Sequence, residues 1–174
     1  GLRHQMGDEW AVSAGVRHDK RQLKVANASP TLSQNGARTD LQLRADYAPI
    51  VIRNGANVQD GSVLHAPPGI PVDIGPGATI AHMCVVHGVH VGAEALIANN
   101  STVLDGAVIG RRTLVAAHSL VVAGTKIPDE VLVMGSPAKI RGPIAGTGAE
   151  TWINTNPQAY RELAERYLAG LEEL

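Results

Sequence analysis

The sequence predicts an all-β fold, a parallel β-helix closed by one C-terminal α-helix. Three observations carry this. Apolar residues recur at steps of six over most of the span from Ile52 to Val133. Small residues stand two places before most of these anchors, from Ala56 and Ser62 to Ser119 and Thr125. Large rings are scarce: aromatics make up 3% of the chain, phenylalanine is absent, and 19 of 174 residues are glycine. A period of six fits neither a helix near 3.6 nor a lone strand near two. It fits short strands joined by corners, each coil completing the one before.

The totals set the bounds. With 174 residues the chain suffices for one domain with a core of its own. Fifteen basic and 16 acidic residues give a formal charge of −1. That balance argues against a nucleic-acid groove or a basic membrane patch. Cys84 is the single cysteine, so no internal disulfide forms, which fits a reducing compartment. No run of 18 apolar residues occurs and no basic–apolar leader is read at the start, so a cytoplasmic location is expected.

Residues 1–24 are read as an irregular N-terminal arm, with Trp10-Ala-Val12 its one apolar patch. From Val25 a faint beat of six runs through Thr31 and Ala37 to Leu43. It is read either as an imperfect first coil or as a polar arm. The β-helix is expected over residues 25–140. Its anchors are Ile52, Val58 and Leu64; Ile74, Ile80 and Val86; Val91, Ile97 and Val103; Ile109, Val115 and Val121; then Ile127 and Val133. Three steps of six make one triangular coil. The step is ten from Leu64 to Ile74 and five from Val86 to Val91. Only small side chains fit the tight corners, and glycine or asparagine relieves the bends.

Residues 141–174 are read as a linker and a helix lying along the β-helix or a subunit boundary. Pro-Ala-Lys139 turns the chain out of the stack. Asn156-Pro157 reads as N-cap and first helical residue. Tyr160, Leu163, Ala164, Tyr167, Leu168 and Leu171 follow at helical spacing. Trp152 is expected to anchor the linker on the body.

The histidines give the first functional reading. His65 and His87 each follow the third anchor of successive coils, Leu64 and Val86. They should stack on one outer face, about 4.8 Å apart. His82 is two past the middle anchor Ile80, on another side of the triangle. It does not easily reach the same ion within its own chain, whereas a neighbouring subunit can supply it. A three-fold oligomer then makes three equal sites. Three nitrogens and one open position describe a catalytic zinc site. Arg44 follows Leu43 as His65 follows Leu64, and Asp46, Gln59 and Asp60 lie near in sequence. The plain alternative for Arg44, Asp46 and Asp60 is surface ion pairing. His90 and His118 are read as surface or interface residues, and Cys84 as packed inward.

The run Leu43-Arg-Ala-Asp46, Asn57-Val-Gln-Asp-Gly-Ser-Val-Leu-His65, Ala81-His82 with His87-Gly88, Val103-Leu-Asp-Gly-Ala-Val-Ile-Gly110 and Gly135-Ser-Pro-Ala-Lys139 resembles the gamma-class carbonic anhydrase family. The likeness covers roughly residues 41–174. Actinobacterial members look especially similar in the His65-Ala-Pro-Pro-Gly loop and the C-terminal helix. The resemblance implies a left-handed parallel β-helix assembled as a homotrimer, with metal sites between subunits. It implies His65 and His87 from one chain and His82 from the next. It carries the family's arginine and aspartate onto Arg44 and Asp46, its glutamine onto Gln59, and an intersubunit pairing of Arg44 with Asp60. The implied reaction is hydration of carbon dioxide to bicarbonate with zinc, or with iron or cobalt in its place. The loop after His65 departs from the best-known active type, because it carries no carboxylate before Asp73.

Three functions therefore stand as expectations: a carbonic anhydrase-type hydro-lyase, a weak or inactive metal-binding trimer of the same family, and a hexapeptide acyltransferase using coenzyme A.

Overall fold

The computed structural model describes the backbone of residues 3–6, 9–12, 23–26 and 41–169, and the side chains of residues 41–163 and 166. Short parallel strands stack into three sheets that form the faces of a triangular prism. Face one holds Leu23–Ala26, Ile50–Ile52, Val72–Ile74, His90–Val91, Val108–Ile109 and Lys126–Ile127. Face two holds Asn57–Val58, Thr79–Ile80, Leu96–Ile97, Leu114–Val115 and Val131–Met134. Face three holds Gln42–Arg44, Val63–His65, Val85–His87, Thr102–Val103 and Leu120–Val121.

All fourteen predicted anchors point into the prism and none is more than 5% exposed. Burying a Val, Leu or Ile side chain in full contributes about 1.5–3 kcal/mol, so this column is the main source of cohesion. The uneven steps do not break the stack. Ile74 stands opposite both Ile52 and Val91, so the ten-residue step is absorbed as a loop over Ala66–Pro71 and the five-residue step as a tight corner.

The corners use the left-handed backbone region more widely than glycine alone would suggest. Met83, Glu94, Asn100, Arg112, His118 and Glu130 all have φ between 50° and 59°. Such a conformation costs about 1–2 kcal/mol for a residue with a Cβ. Each of these amides donates to a carbonyl of the preceding coil's corner, as Arg112 does to Ala93 and Glu130 to Arg111 at 2.9 Å each. That bond offsets the strain.

The ends of the chain differ from expectation. Within residues 1–24, read as irregular, strands Arg3–Met6 and Glu9–Val12 pair antiparallel, and the second pairs with Leu23–Ala26. Val25 stands opposite Ile52 and Leu43 opposite Leu64, so both ends of the faint beat are in register with the coils. Thr31 and Ala37 lie outside the described residues. At the other end, Lys139–Pro143 returns antiparallel along Val131–Met134. The helix spans Gly148–Ala169, nine residues ahead of the expected start, with Pro157 inside it. The reason is a stronger cap. Thr147 Oγ1 accepts from the Ala149 amide at 3.2 Å, and Glu150 reaches back to the Gly146 amide at 2.8 Å. Trp152 is 62% exposed and is not the anchor. Ile153 is, buried with Ile144, Leu96 and Leu114 against face two. Tyr160 and Leu163 are half-buried; the side chains of Ala164, Tyr167, Leu168 and Leu171 lie outside the described set.

Candidate metal centre

Parallel pairing without slip puts Arg44, His65 and His87 in one column, at the end of face three. The two imidazoles meet edge to face, with ring centres 4.6 Å apart and planes at 62°. His65 Nδ1 lies 2.6 Å from His87 Nε2. Beyond His65, its Nε2 lies 3.5 Å from Asp46, which Arg44 holds at 2.6 Å. Beyond His87, its Nδ1 pairs with Asp105. The result is one line of polar groups, Arg44–Asp46–His65–His87–Asp105. His65 Nε2 is buried without a hydrogen-bond partner. Burial, then the charges of His87 and Arg44, push the His65 imidazole below its ordinary pKa, against the pull of Asp46. His65 therefore stays neutral near pH 7, with a lone pair to offer.

His82 sits at the opposite end of face three, on the corner after Ile80. Its Nδ1 is 3.5 Å from Asp60, and its backbone amide donates to Asn99 Oδ1 at 3.2 Å. Among the described residues, no three His, Cys, Asp or Glu side chains of one chain converge into a metal site. The pair His65–His87 is thus brought together, and His82 is not brought to it.

The other candidates divide in the same way. Arg44 and Asp46 adjoin the histidine pair. Gln59 and Asp60 lie on the His82 side. Gln59 is 3% exposed and donates to Asn57, which donates to Thr79 at 2.9 Å. Asn156 from the helix donates to the same Thr79 hydroxyl at 2.8 Å. Asp60 is near Tyr160, whose phenol is pushed up by burial and by that charge. Within the chain, Arg44 pairs with Asp46 rather than Asp60. Cys84 packs inward, its thiol 3.2 Å from the Ala98 carbonyl, and burial pushes it up to about 11. His90 faces Asp73, which Arg53 already clamps through two hydrogen bonds. His118 is exposed on its corner; the side chains of His4 and His18 lie outside the described set.

Asp105 is the residue that the sequence reading missed. It lies in the run Val103-Leu-Asp-Gly106. Register would have found it: Val103 stands opposite Val86, so Asp105 stacks on Gly88, beside His87. A groove of about 420 Å³ runs between the helix and the corner at Asn54, Gly77 and Glu94, with Arg112 and Arg161 in its wall. None of His65, His82 and His87 lines it. The histidine column has the convergent chemistry and is the better candidate site.

No protein-family model matches the chain. The carnitine operon protein CaiE of Escherichia coli (strain K12) is 35% identical over 131 residues, covering 75% of this chain and 66% of that protein. The chain thus spans about two thirds of the length of the curated relative. Among solved structures, a "putative acetyltransferase" of Bacillus cereus superposes with a TM-score of 0.73 at 29% identity, covering 83% of this chain and 80% of that one. A hexapeptide transferase family protein of Anaplasma phagocytophilum gives 0.69 at 27%, covering 81% and 78%. These likenesses do not single out the carbonic anhydrases within the wider family. With the six-residue beat realised as about five stacked coils and a single C-terminal helix, they establish the fold: the chain belongs to the hexapeptide-repeat family of left-handed parallel β-helices.

Proposed function

We propose that the protein is a metal-dependent hydratase of carbon dioxide, acting at sites between the subunits of a homotrimer. The observation that carries this reading is the nitrogen-to-nitrogen approach of His65 and His87, backed by Asp105. Two imidazole nitrogens facing each other at 2.6 Å suit a cation that both can share. His65 and His87 would hold the ion through these facing nitrogens, which would part to admit it. His82 from a neighbouring copy is the proposed third ligand.

When bound, zinc, iron or cobalt supplies the Lewis acidity that makes water nucleophilic near neutral pH. The chain's own residues do the rest. Asp105 steadies the His87 ring, and Arg44 holds Asp46 beside His65. Gln59 is proposed to orient the substrate, and Asp60 to meet Arg44 across the subunit boundary. The Ala66–Pro71 loop has no acid, so the proton released by hydration leaves through buffer.

Acyl transfer from coenzyme A is the second reading, favoured by the descriptions of the Bacillus and Anaplasma proteins. There His87, oriented by Asp105, is the candidate general base. It ranks second because His87 Nε2 faces His65 instead of open space. One experiment separates the readings. The protein is loaded with zinc or cobalt, its metal content measured, and its carbon dioxide hydration compared with the metal-free form. Stoichiometric metal with a metal-dependent rate is the expected result. Full occupancy with no rate above the control leaves a metal-binding trimer without turnover. No metal, with release of free coenzyme A from acetyl-coenzyme A, favours acyl transfer.

A further inference from the structure

We propose that Asp105 is the positioning residue of this centre: its carboxylate accepts the His87 Nδ1 hydrogen and so aims the Nε2 lone pair at the ion. The inference rests on the metal-binding reading above. Asp105 pairs with His87 Nδ1 from the next coil, and its carbonyl accepts from the Gly124 amide at 2.8 Å. Its backbone is therefore pinned by the ladder, and the carboxylate has a fixed origin.

The space for that carboxylate is kept open by Gly88. A Cβ at this position would lie 2.9 Å from Asp105 Oδ1, 3.0 Å from Ile70 and 3.1 Å from Pro67. Gly88 also has φ of 59°, in the left-handed region. The proline loop packs over the same point, so apolar atoms border the His87–Asp105 pair on its corner side. An imidazole that donates from Nδ1 to a carboxylate keeps Nε2 bare and its ring orientation fixed. His65 has no equivalent support: Asp46 is 3.5 Å away, and Nε2 makes no hydrogen bond. The asymmetry makes His87 the fixed ligand and His65 the ring that moves to admit the ion.

The test uses the full chain and zinc alone. Asp105→Ala should lower zinc affinity by about 10–100-fold, and Asp105→Asn, which keeps an acceptor, by less. Nitrogen NMR of the metal-free protein should show His87 in the Nδ1–H form in the parent and a tautomer mixture in Asp105→Ala. Melting should be almost unchanged, because the Asp105 side chain is 43% exposed. Parent-like zinc affinity together with a parent-like His87 tautomer in Asp105→Ala overturns the inference and leaves the metal site standing. A parent that binds no zinc overturns the underlying reading and this inference with it.

Discussion

Replacing Gly92 with alanine tests the stacking on which the site depends. A Cβ at Gly92 would lie 2.6 Å from the Arg111 amide nitrogen and 2.8 Å from the Gly110 carbonyl carbon. Ordinary contact begins near 3.4 Å, so the overlap is roughly 0.6–0.8 Å, and it falls on backbone rather than on a flexible side chain. Coils held about 4.8 Å apart by their ladder can relieve it only by parting. Gly75 and Gly110 meet the same wall, at 2.7 and 2.4 Å. Overpacking of this kind costs typically 1–3 kcal/mol, and the backbone contact puts Gly92→Ala near the top, at about 3 kcal/mol. For a chain of this size that is a fall in Tm of roughly 6–12 °C. Gly124→Ala is the control, since nothing lies within 4 Å of its added Cβ and only φ of +70° opposes it. That penalty is about 1 kcal/mol, a fall of roughly 2–4 °C. Calorimetric melting of both variants decides the matter, and a Gly92→Ala protein that melts no earlier than Gly124→Ala refutes the reasoning.

Four further outcomes are expected. Ile153→Ala should cost about 2–5 kcal/mol and free the helix from face two, read by faster amide exchange over Gly148–Leu163 than in the parent. His82→Ala should reduce bound zinc at least about tenfold while the chain keeps its far-ultraviolet spectrum; metal content that survives the change removes the intersubunit site. The Cys84 thiol, pushed up to about 11 by burial, should resist alkylation at pH 8 until the protein unfolds. The same shift has a sign: stability from the neutral thiol is complete below its unfolded pKa, about 8.5–9, and is lost as pH rises from there through about 11. Urea midpoints for parent and Cys84→Ser across that range check it, with the parent losing more.

The coil is legible in the sequence alone, because a six-residue beat is a local pattern that needs no distant contact to be read. The beat placed its fourteen anchors from Ile52 to Val133 in the core, though not Val72 or Val89, which are buried with them, and with parallel register it stacked His65 on His87 and set His82 apart. What lies between elements depends on how the coils and the helix pack. Asp105 reaches His87 only because the five-residue step brings Val103 under Val86. Gln59 is committed to Asn57 only because the polar row Asn57–Thr79 is roofed by Asn156 of the helix. The helix begins at Gly148 because Thr147 and Glu150 cap it and Ile153 finds an apolar seat on face two, a contact that Asn156-Pro157 in isolation does not reveal. Periodicity is written along the chain. Side-chain partners are set by which coils and helix faces meet across it.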